Sequence, residues 1–199
     1  LVSIGFSIFC SFIAHKYNFY WLRNYLAFNI ILYGVVAYLA KKGLLTIARP
    51  FYLLTINLGI TIIASFVGRP AGVEFVFIFT IGLPYFIFSF TRERLYVIIF
   101  AILPILLWFL LFLTDFNLFT NQKFDTKVAD EIIYPIAMVS TVLLVLFQLI
   151  YFSVLNTRYA SNVIIQHDDA FQASNAKSKF LSTMSHEIRT PLNAITSIV

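Results

Sequence analysis

The sequence predicts an all-α membrane protein, a polytopic bundle of about six transmembrane helices that continues into a long cytoplasmic helix. Of its 199 residues, 60% are hydrophobic and 12% are charged, whereas a soluble domain has about 45–50% apolar and about 25% charged residues. The apolar residues concentrate in positions 1–155, and the residues that follow are mostly polar. Lipid accepts only helices or closed barrels as spanning structures, and no run alternates apolar with polar residues, so helices are predicted.

Most of the apolar runs approach the ~20 residues that a helix needs to cross the hydrocarbon core. The runs are 1–14, 20–40, 50–67, 73–90, 95–113 and 132–155. The first has neither a charged leader nor a small-residue cleavage site, so we expect a span that is cut at its start rather than a signal peptide. Pro84 and Pro104 fall inside the fourth and fifth runs, where each removes a helix hydrogen bond and favours a kink.

The short loops indicate the direction of the spans. Placing the basic loops 41–50 and 91–94 in the cytoplasm follows the positive-inside tendency, although the opposite loops carry a similar number of Lys and Arg residues. The motif described below implies that the polar segment after the sixth run is cytoplasmic, which breaks this tie; both termini are therefore predicted in the cytoplasm and the protein in the cell's inner membrane. The net charge of +5 fits loops beside anionic lipid rather than nucleic acid, since no Lys/Arg cluster lines one face.

A single long helix is predicted after the fifth run, because neither Gly nor Pro occurs from Ile136 to Thr190. At the rise of an α-helix this segment is roughly 80 Å long. Two seams at heptad spacing run along it: Phe152, Tyr159, Gln166, Ala173 and Phe180, and Asn156, Val163, Ala170, Lys177 and Met184. They favour a parallel dimeric coiled coil over a single solvated helix, since an isolated polar helix is marginally stable. We therefore divide the chain into a membrane region (1–155), a coiled-coil linker (156–179) and a distinct segment (180–199).

The distinct segment presents one histidine, His186, opposite its apolar stripe on a helical wheel. An exposed imidazole beside a carboxylate is suited to binding metal, to acting as a general base, or to accepting a phosphoryl group. Metal needs further ligands, and His186 has no His or Cys three or four residues away. A general base needs a pocket, which a bare helix face does not supply. Phosphoryl acceptance needs only exposure and a neighbour such as Glu187, and is favoured.

The stretch "KSKFLSTMSHEIRTPLNAI" (177–195) resembles the H-box of sensor histidine kinases of two-component systems. The resemblance covers about twenty residues and implies that 180–199 begins a dimerisation and histidine-phosphotransfer domain. It implies that His186 is autophosphorylated, that Glu187 is its acid/base partner, and that Thr190 positions water for dephosphorylation of a response regulator. No metal site is expected in this segment.

The resemblance also implies the reaction and its partners. The phosphoryl group passes from ATP to His186 and then to an aspartate of a response-regulator receiver domain, while two copies of the chain form a homodimer in the lipid bilayer. ATP and Mg²⁺ are expected to be bound by a separate domain, because no Gly-rich nucleotide loop occurs here and Gly82 is the last glycine. Alone, the chain is expected to be inactive.

Other polar residues are weaker candidates. His167, Asp168 and Asp169 are compatible with a metal site, although an ordinary surface patch is favoured. Polar residues in or near the spans either line a ligand cavity or form interhelical hydrogen bonds; they are Arg23, Asn29, Asn57, Thr61 and Gln148.

Two other functions compete with a sensor kinase. One is a membrane transporter or channel whose tail imitates the H-box, although neither inverted repeats nor several intramembrane charges occur. The other is a receptor scaffold with a degenerate kinase tail. Sequence beyond Val199 would distinguish them, because a sensor kinase requires nucleotide-binding motifs there.

Overall fold

A computed structural model of the protein describes residues 2–16, 19–119 and 125–196, and every regular element in these ranges is helical. Short 3-10 turns at Arg69–Ala71 and Val73–Phe75 and a π-helical turn at Ala129–Ile133 complete the backbone. The helices are α1 (Val2–Lys16), α2 (Tyr20–Lys41), α3 (Leu45–Val67), α4 (Val76–Gly82), α5 (Pro84–Ile87), α6 (Arg94–Leu113), α7 (Thr126–Val128) and α8 (Tyr134–Thr196).

Several of these helices are suited to a bilayer. Among the described residues, four helical segments are long and apolar enough to cross a membrane: Tyr20–Lys41, Leu45–Val67, Arg94–Leu113 and Thr126–Leu181. A shorter apolar stretch covers Val73–Ile87, and α1 has 15 residues. The predicted all-α fold is confirmed, and its apolar helices are compatible with a membrane protein. The count of six spans stays a prediction.

Prolines account for the differences between the predicted runs and the helices. The segment predicted as the loop 41–50 is mostly helical, because α3 begins at Leu45 and contains Pro50 in its interior. That boundary was wrong: proline is tolerated in membrane helices, where neighbouring groups satisfy the freed backbone carbonyl. The predicted effect of Pro84 is confirmed, since the fourth run breaks at Leu83 between α4 and α5. By contrast, α6 continues through the buried Pro104.

The third helix is the centre of the membrane bundle. Half (50%) of the most apolar stretch of α3 lies buried, against 22% for α2 and for α6. Three clusters of buried side chains surround it: Ala14, Leu22, Leu26, Val67, Ala71 and Ala129; Ile60, Ala64, Phe77, Leu111 and Phe116; and Leu53, Phe88, Val97 and Phe100. Helices α2, α4 and α6 therefore pack around α3, which buries the polar residues Asn57, Thr61 and Ser65.

Two glycines shape the turn between α3 and α4. Gly68 ends α3 with φ 84° and ψ 171°, a conformation that is nearly restricted to glycine. Gly72 is left-handed (φ 61°), and a Cβ added there would lie 2.7 Å from Cδ2 of Tyr134. Neither position accepts another residue without strain, so the path of residues 68–75, and with it the placement of Glu74, is fixed by the sequence.

The last helix runs through both units of the chain, which divides into Leu1–Gln148 and Leu149–Val199. The helix predicted from Ile136 to Thr190 is confirmed, because α8 is continuous from Tyr134 to Thr196 and extends past Pro191. In the first unit, α8 approaches the bundle at Gly82, where an added Cβ would overlap the side-chain amide of Gln148. The predicted functional boundaries at 155 and 179 are not marked by a break in this helix.

Candidate functional site

The predicted phospho-acceptor residues all lie on α8. His186, Glu187 and Thr190 belong to one uninterrupted stretch of helix, as the prediction required of the backbone. Their side chains lie outside the part of the structure that is described, so the predicted outward direction of His186 and the roles of the two neighbours stay predictions.

The linker before this stretch carries an exposed apolar seam. Phe152, Tyr159, Val163 and Phe180 are all exposed on the single chain, with more than half of each surface accessible. Exposed apolar residues at heptad spacing are the pattern by which two helices pair. Apolar residues off this seam, among them Ile164, Ile165 and Phe171, are exposed to a similar extent, so the coiled coil stays a prediction.

His167 and Asp168 form a surface pair in the linker. Nδ1 of His167 lies 4.0 Å from Oδ1 of Asp168, and the two side chains are 79% and 72% exposed. Within the described ranges, no three His, Cys, Asp or Glu side chains group closely enough to hold a metal ion. The arrangement matches the surface patch that the sequence favoured.

Asn57 is the centre of a buried hydrogen-bond network within the bundle. Its Nδ2 donates to the carbonyl of Leu53 at 2.8 Å, and its Oδ1 accepts from the hydroxyl of Thr80 at 2.9 Å. The hydroxyl of Thr61 donates to the backbone carbonyl of Asn57 at 2.8 Å. Because Thr80 lies on α4, this network joins α3 to α4, and polar residues in spans that pair in this way hold helices together.

The remaining polar span residues also make protein contacts. Asn29 is buried and its Nδ2 donates to the Tyr25 hydroxyl at 3.3 Å, while its Oδ1 has no hydrogen-bond partner. Arg23 lies 5.1 Å from the centre of the Tyr20 ring. None of the five polar candidates lines the pocket described next, so the hydrogen-bonding alternative accounts for Asn57 and Thr61 better than the ligand-cavity alternative.

A buried carboxylate, Glu74, is among the residues that line an apolar pocket, and it was not singled out from the sequence. Glu74 is 8% exposed, and its Oε2 is enclosed and has no hydrogen-bond partner. The pocket has a volume of about 270 Å³ and is lined by Glu74, Phe75, Phe77, Ile78, Ile81, Pro104, Ile105 and Trp108. The charge of Arg69 acts on the Glu74 carboxylate. Arg69 itself lies 6.0 Å from the Phe112 ring centre.

A second pocket lies at the end of the bundle predicted to be cytoplasmic. It has a volume of about 350 Å³, and Arg49 is the charged residue among its lining side chains. Arg49 is paired there with Glu93 at 3.6 Å, and Oε2 of Glu93 also accepts the backbone N–H of Ser89 at 3.1 Å. Since both charges are satisfied, this pocket lacks the unpaired group that distinguishes the pocket at Glu74.

Comparison with known proteins bears on the end of α8. The family model of the His Kinase A (phospho-acceptor) domain matches residues 176–199. The match includes His186 and supports a histidine kinase of a two-component system. It covers well under half of the chain and therefore describes this segment, not the membrane region. No curated protein matched the chain, and no solved structure matched it.

Proposed function

We propose that the chain is the membrane-sensing and phospho-accepting part of a sensor histidine kinase. The observation that carries the proposal is the match of residues 176–199 to the phospho-acceptor domain on a helix that continues from the apolar segment at Tyr134. A protein whose receptor and acceptor share one helix is suited to passing a signal from the bilayer to the acceptor.

In the proposed reaction, a neutral imidazole nitrogen of His186 attacks the γ-phosphorus of ATP and ADP leaves. Glu187 takes the proton released from the other ring nitrogen, so the phosphohistidine remains neutral at the ring. Phosphoryl transfer depends mainly on positioning and electrostatics. The chain has no Gly-rich loop after Gly82, so a separate domain is proposed to hold ATP and Mg²⁺. The group then passes to an aspartate of a response regulator, and Thr190 positions water for the reverse, phosphatase activity.

The architecture proposed with this function is a homodimer with six spans per chain in the inner membrane and both termini in the cytoplasm. The heptad spacing of seam residues such as Tyr159 and Val163 supports the dimer. The basic residues that precede α3 and α6 support the orientation, because cytoplasmic loops are enriched in Lys and Arg.

The proposal is tested by phosphorylation of the full-length protein in membranes with radiolabelled ATP. His186→Gln is expected to abolish acid-labile label, since glutamine cannot accept the phosphoryl group. His167→Gln is the matched control, because it removes another histidine of α8 and is expected to leave labelling unchanged. Undiminished label on the His186→Gln protein would contradict the proposed function.

A further inference from the structure

The pocket at Glu74 combines apolar walls with a buried, unpaired carboxylate. Its walls are apolar, and its polar group is a carboxylate with one oxygen that accepts no hydrogen bond. Buried carboxylates are normally paired or hydrogen-bonded, since an unpaired charge in an apolar environment is costly. Arg69, the basic residue whose charge acts on Glu74, lies 6.0 Å from the centre of the Phe112 ring. Oε2 of Glu74 is enclosed as well as unpaired, so a ligand meets it after a rotation of the Glu74 side chain into the pocket that this residue lines.

The walls favour a positively charged head group. Phe75 and Trp108 line the pocket together with Glu74, and aromatic faces attract ammonium groups, tryptophan most strongly. A carboxylate beside aromatic rings therefore supplies both a countercharge and a desolvated surface for an ammonium group. A carboxylate or phosphate head would instead be repelled by Glu74.

The size and polarity of the pocket limit the rest of the ligand. The volume of about 270 Å³ lies just below the range of about 300–1,000 Å³ usual for small-molecule sites. Apart from Glu74, the lining residues are apolar, and Ile78 and Ile105 are more than half exposed at the surface of the bundle. The body of the ligand is therefore short and apolar, and it reaches the pocket from the lipid side.

We propose that the pocket between the α3–α4 turn, α4 and α6 binds a small cationic amphiphile, with its ammonium group at Glu74 and its alkyl or aryl body against Trp108 and Ile105. The role of this ligand as the stimulus of the sensor rests on the proposed function; the binding itself does not.

A route from the pocket to the acceptor helix is present in α4. Ile81 lines the pocket, and the next residue, Gly82, contacts Gln148 of α8. A ligand that shifts α4 therefore acts on the one helix that carries His186. Coupling between distant sites requires such an element in contact with both.

Trp108 supplies the test, because the chain has two tryptophans and Trp21→Phe leaves Trp108 as the sole reporter. The Trp21→Phe chain in lipid nanodiscs is titrated with n-hexylamine, and saturable fluorescence change is expected. Glu74→Gln in the same background is expected to weaken the apparent affinity by about tenfold or more, since it removes the countercharge. Glu93→Gln is the matched control and is expected to leave the affinity unchanged.

Two further measurements separate binding from partition into lipid. Trp108→Phe, which retains Trp21, is expected to show no saturable change, and n-hexanol is expected to bind equally to the wild-type and Glu74→Gln chains. Ile105→Phe narrows the pocket without touching Glu74 and is expected to weaken n-hexylamine binding even if Glu74→Gln folds poorly. Equal n-hexylamine affinity of the wild-type and Glu74→Gln chains, or fluorescence that never saturates, would overturn the proposal. Neither result depends on kinase activity, so a failure here is distinct from a failure of the proposed function.

Discussion

Polar side chains inside the bundle differ in whether they have a hydrogen-bond partner, and mutation is expected to have opposite effects on a paired and on an unpaired group. Asn57 and Thr80 satisfy each other across α3 and α4. Glu74 has an oxygen with no partner. Removing the Thr80 hydroxyl leaves a buried oxygen of Asn57 without a hydrogen bond and destabilises the fold. Neutralising Glu74 instead removes a buried, unpaired carboxylate whose desolvation already destabilises the fold.

Thr80→Val is expected to destabilise the bundle by about 1 kcal/mol, because it leaves Oδ1 of Asn57 without its donor in an environment that cannot replace it. Thr55→Val is the matched control: the Thr55 hydroxyl donates to the carbonyl of Phe51 within the same helix, so a smaller effect is expected. Thermal unfolding in detergent micelles measures both variants. Equal losses of stability in the two variants would show that the hydrogen bond between α3 and α4 contributes nothing specific to the stability of the bundle.

Glu74→Gln is expected to stabilise the protein at neutral pH, because it removes a buried ionisable group whose Oε2 has no hydrogen-bond partner. The glutamine variant keeps the shape of the side chain and never ionises. Thermal unfolding in detergent micelles measures the difference, and an unfolding temperature of the variant equal to or below that of the wild type would contradict this expectation.

At the scale of elements, the helices could be predicted from the sequence and the pocket could not. Long apolar runs and the absence of Gly and Pro from 136 to 190 determine where helices form. The burial of Glu74 depends on a turn set by Gly68 and Gly72, and Glu74 lines the same pocket as Trp108 of α6. No local pattern relates residues so far apart in sequence. The start of α3 was predicted wrongly because Pro50 suggested a helix boundary, whereas α3 begins at Leu45 and continues through this proline.

Gly82→Ala tests the contact between α4 and α8. A Cβ at Gly82 would overlap the Gln148 amide, whereas a Cβ at Gly34 meets nothing within 4 Å. Gly82→Ala is therefore expected to displace the flexible end of the Gln148 side chain, to alter the packing of α4 against α8 and so to change autophosphorylation of the full-length protein, while Gly34→Ala leaves autophosphorylation unchanged. Kinase assays in native membranes compare the two. Identical activity of the wild-type and Gly82→Ala proteins would show that this contact transmits no signal.

At the scale of the whole molecule, one helix, α8, belongs to both the apolar bundle and the phospho-acceptor segment. The segment 176–199 could be assigned from its sequence because the H-box is specific, and the family match agrees. The apolar bundle has no such motif, so its proposed function depends on burial and charge. The homodimer stays a proposal that depends on the heptad spacing in α8.

Cysteine cross-linking tests the dimer. Val163 lies in the predicted seam and Ile165 lies on the opposite face of the helix, yet both are exposed on the single chain, by 64% and 58%. In a Cys10→Ser background, Val163→Cys is expected to form a disulfide-linked dimer in membranes, because a parallel seam brings the two side chains within bonding distance. Ile165→Cys points away from that seam and is expected to cross-link poorly. Equal cross-linking at both positions would contradict the predicted register.

The most direct test of the central claim locates the phosphoryl group itself. Trypsin releases the peptide from Phe180 to Arg189, in which His186 is the sole histidine, from full-length protein labelled with radioactive ATP. This peptide is expected to carry the label. The label is expected to be lost in acid and retained in alkali, because it is held by a phosphorus–nitrogen bond. Label on another peptide, or label that survives acid and therefore lies on a serine or threonine, would contradict this expectation.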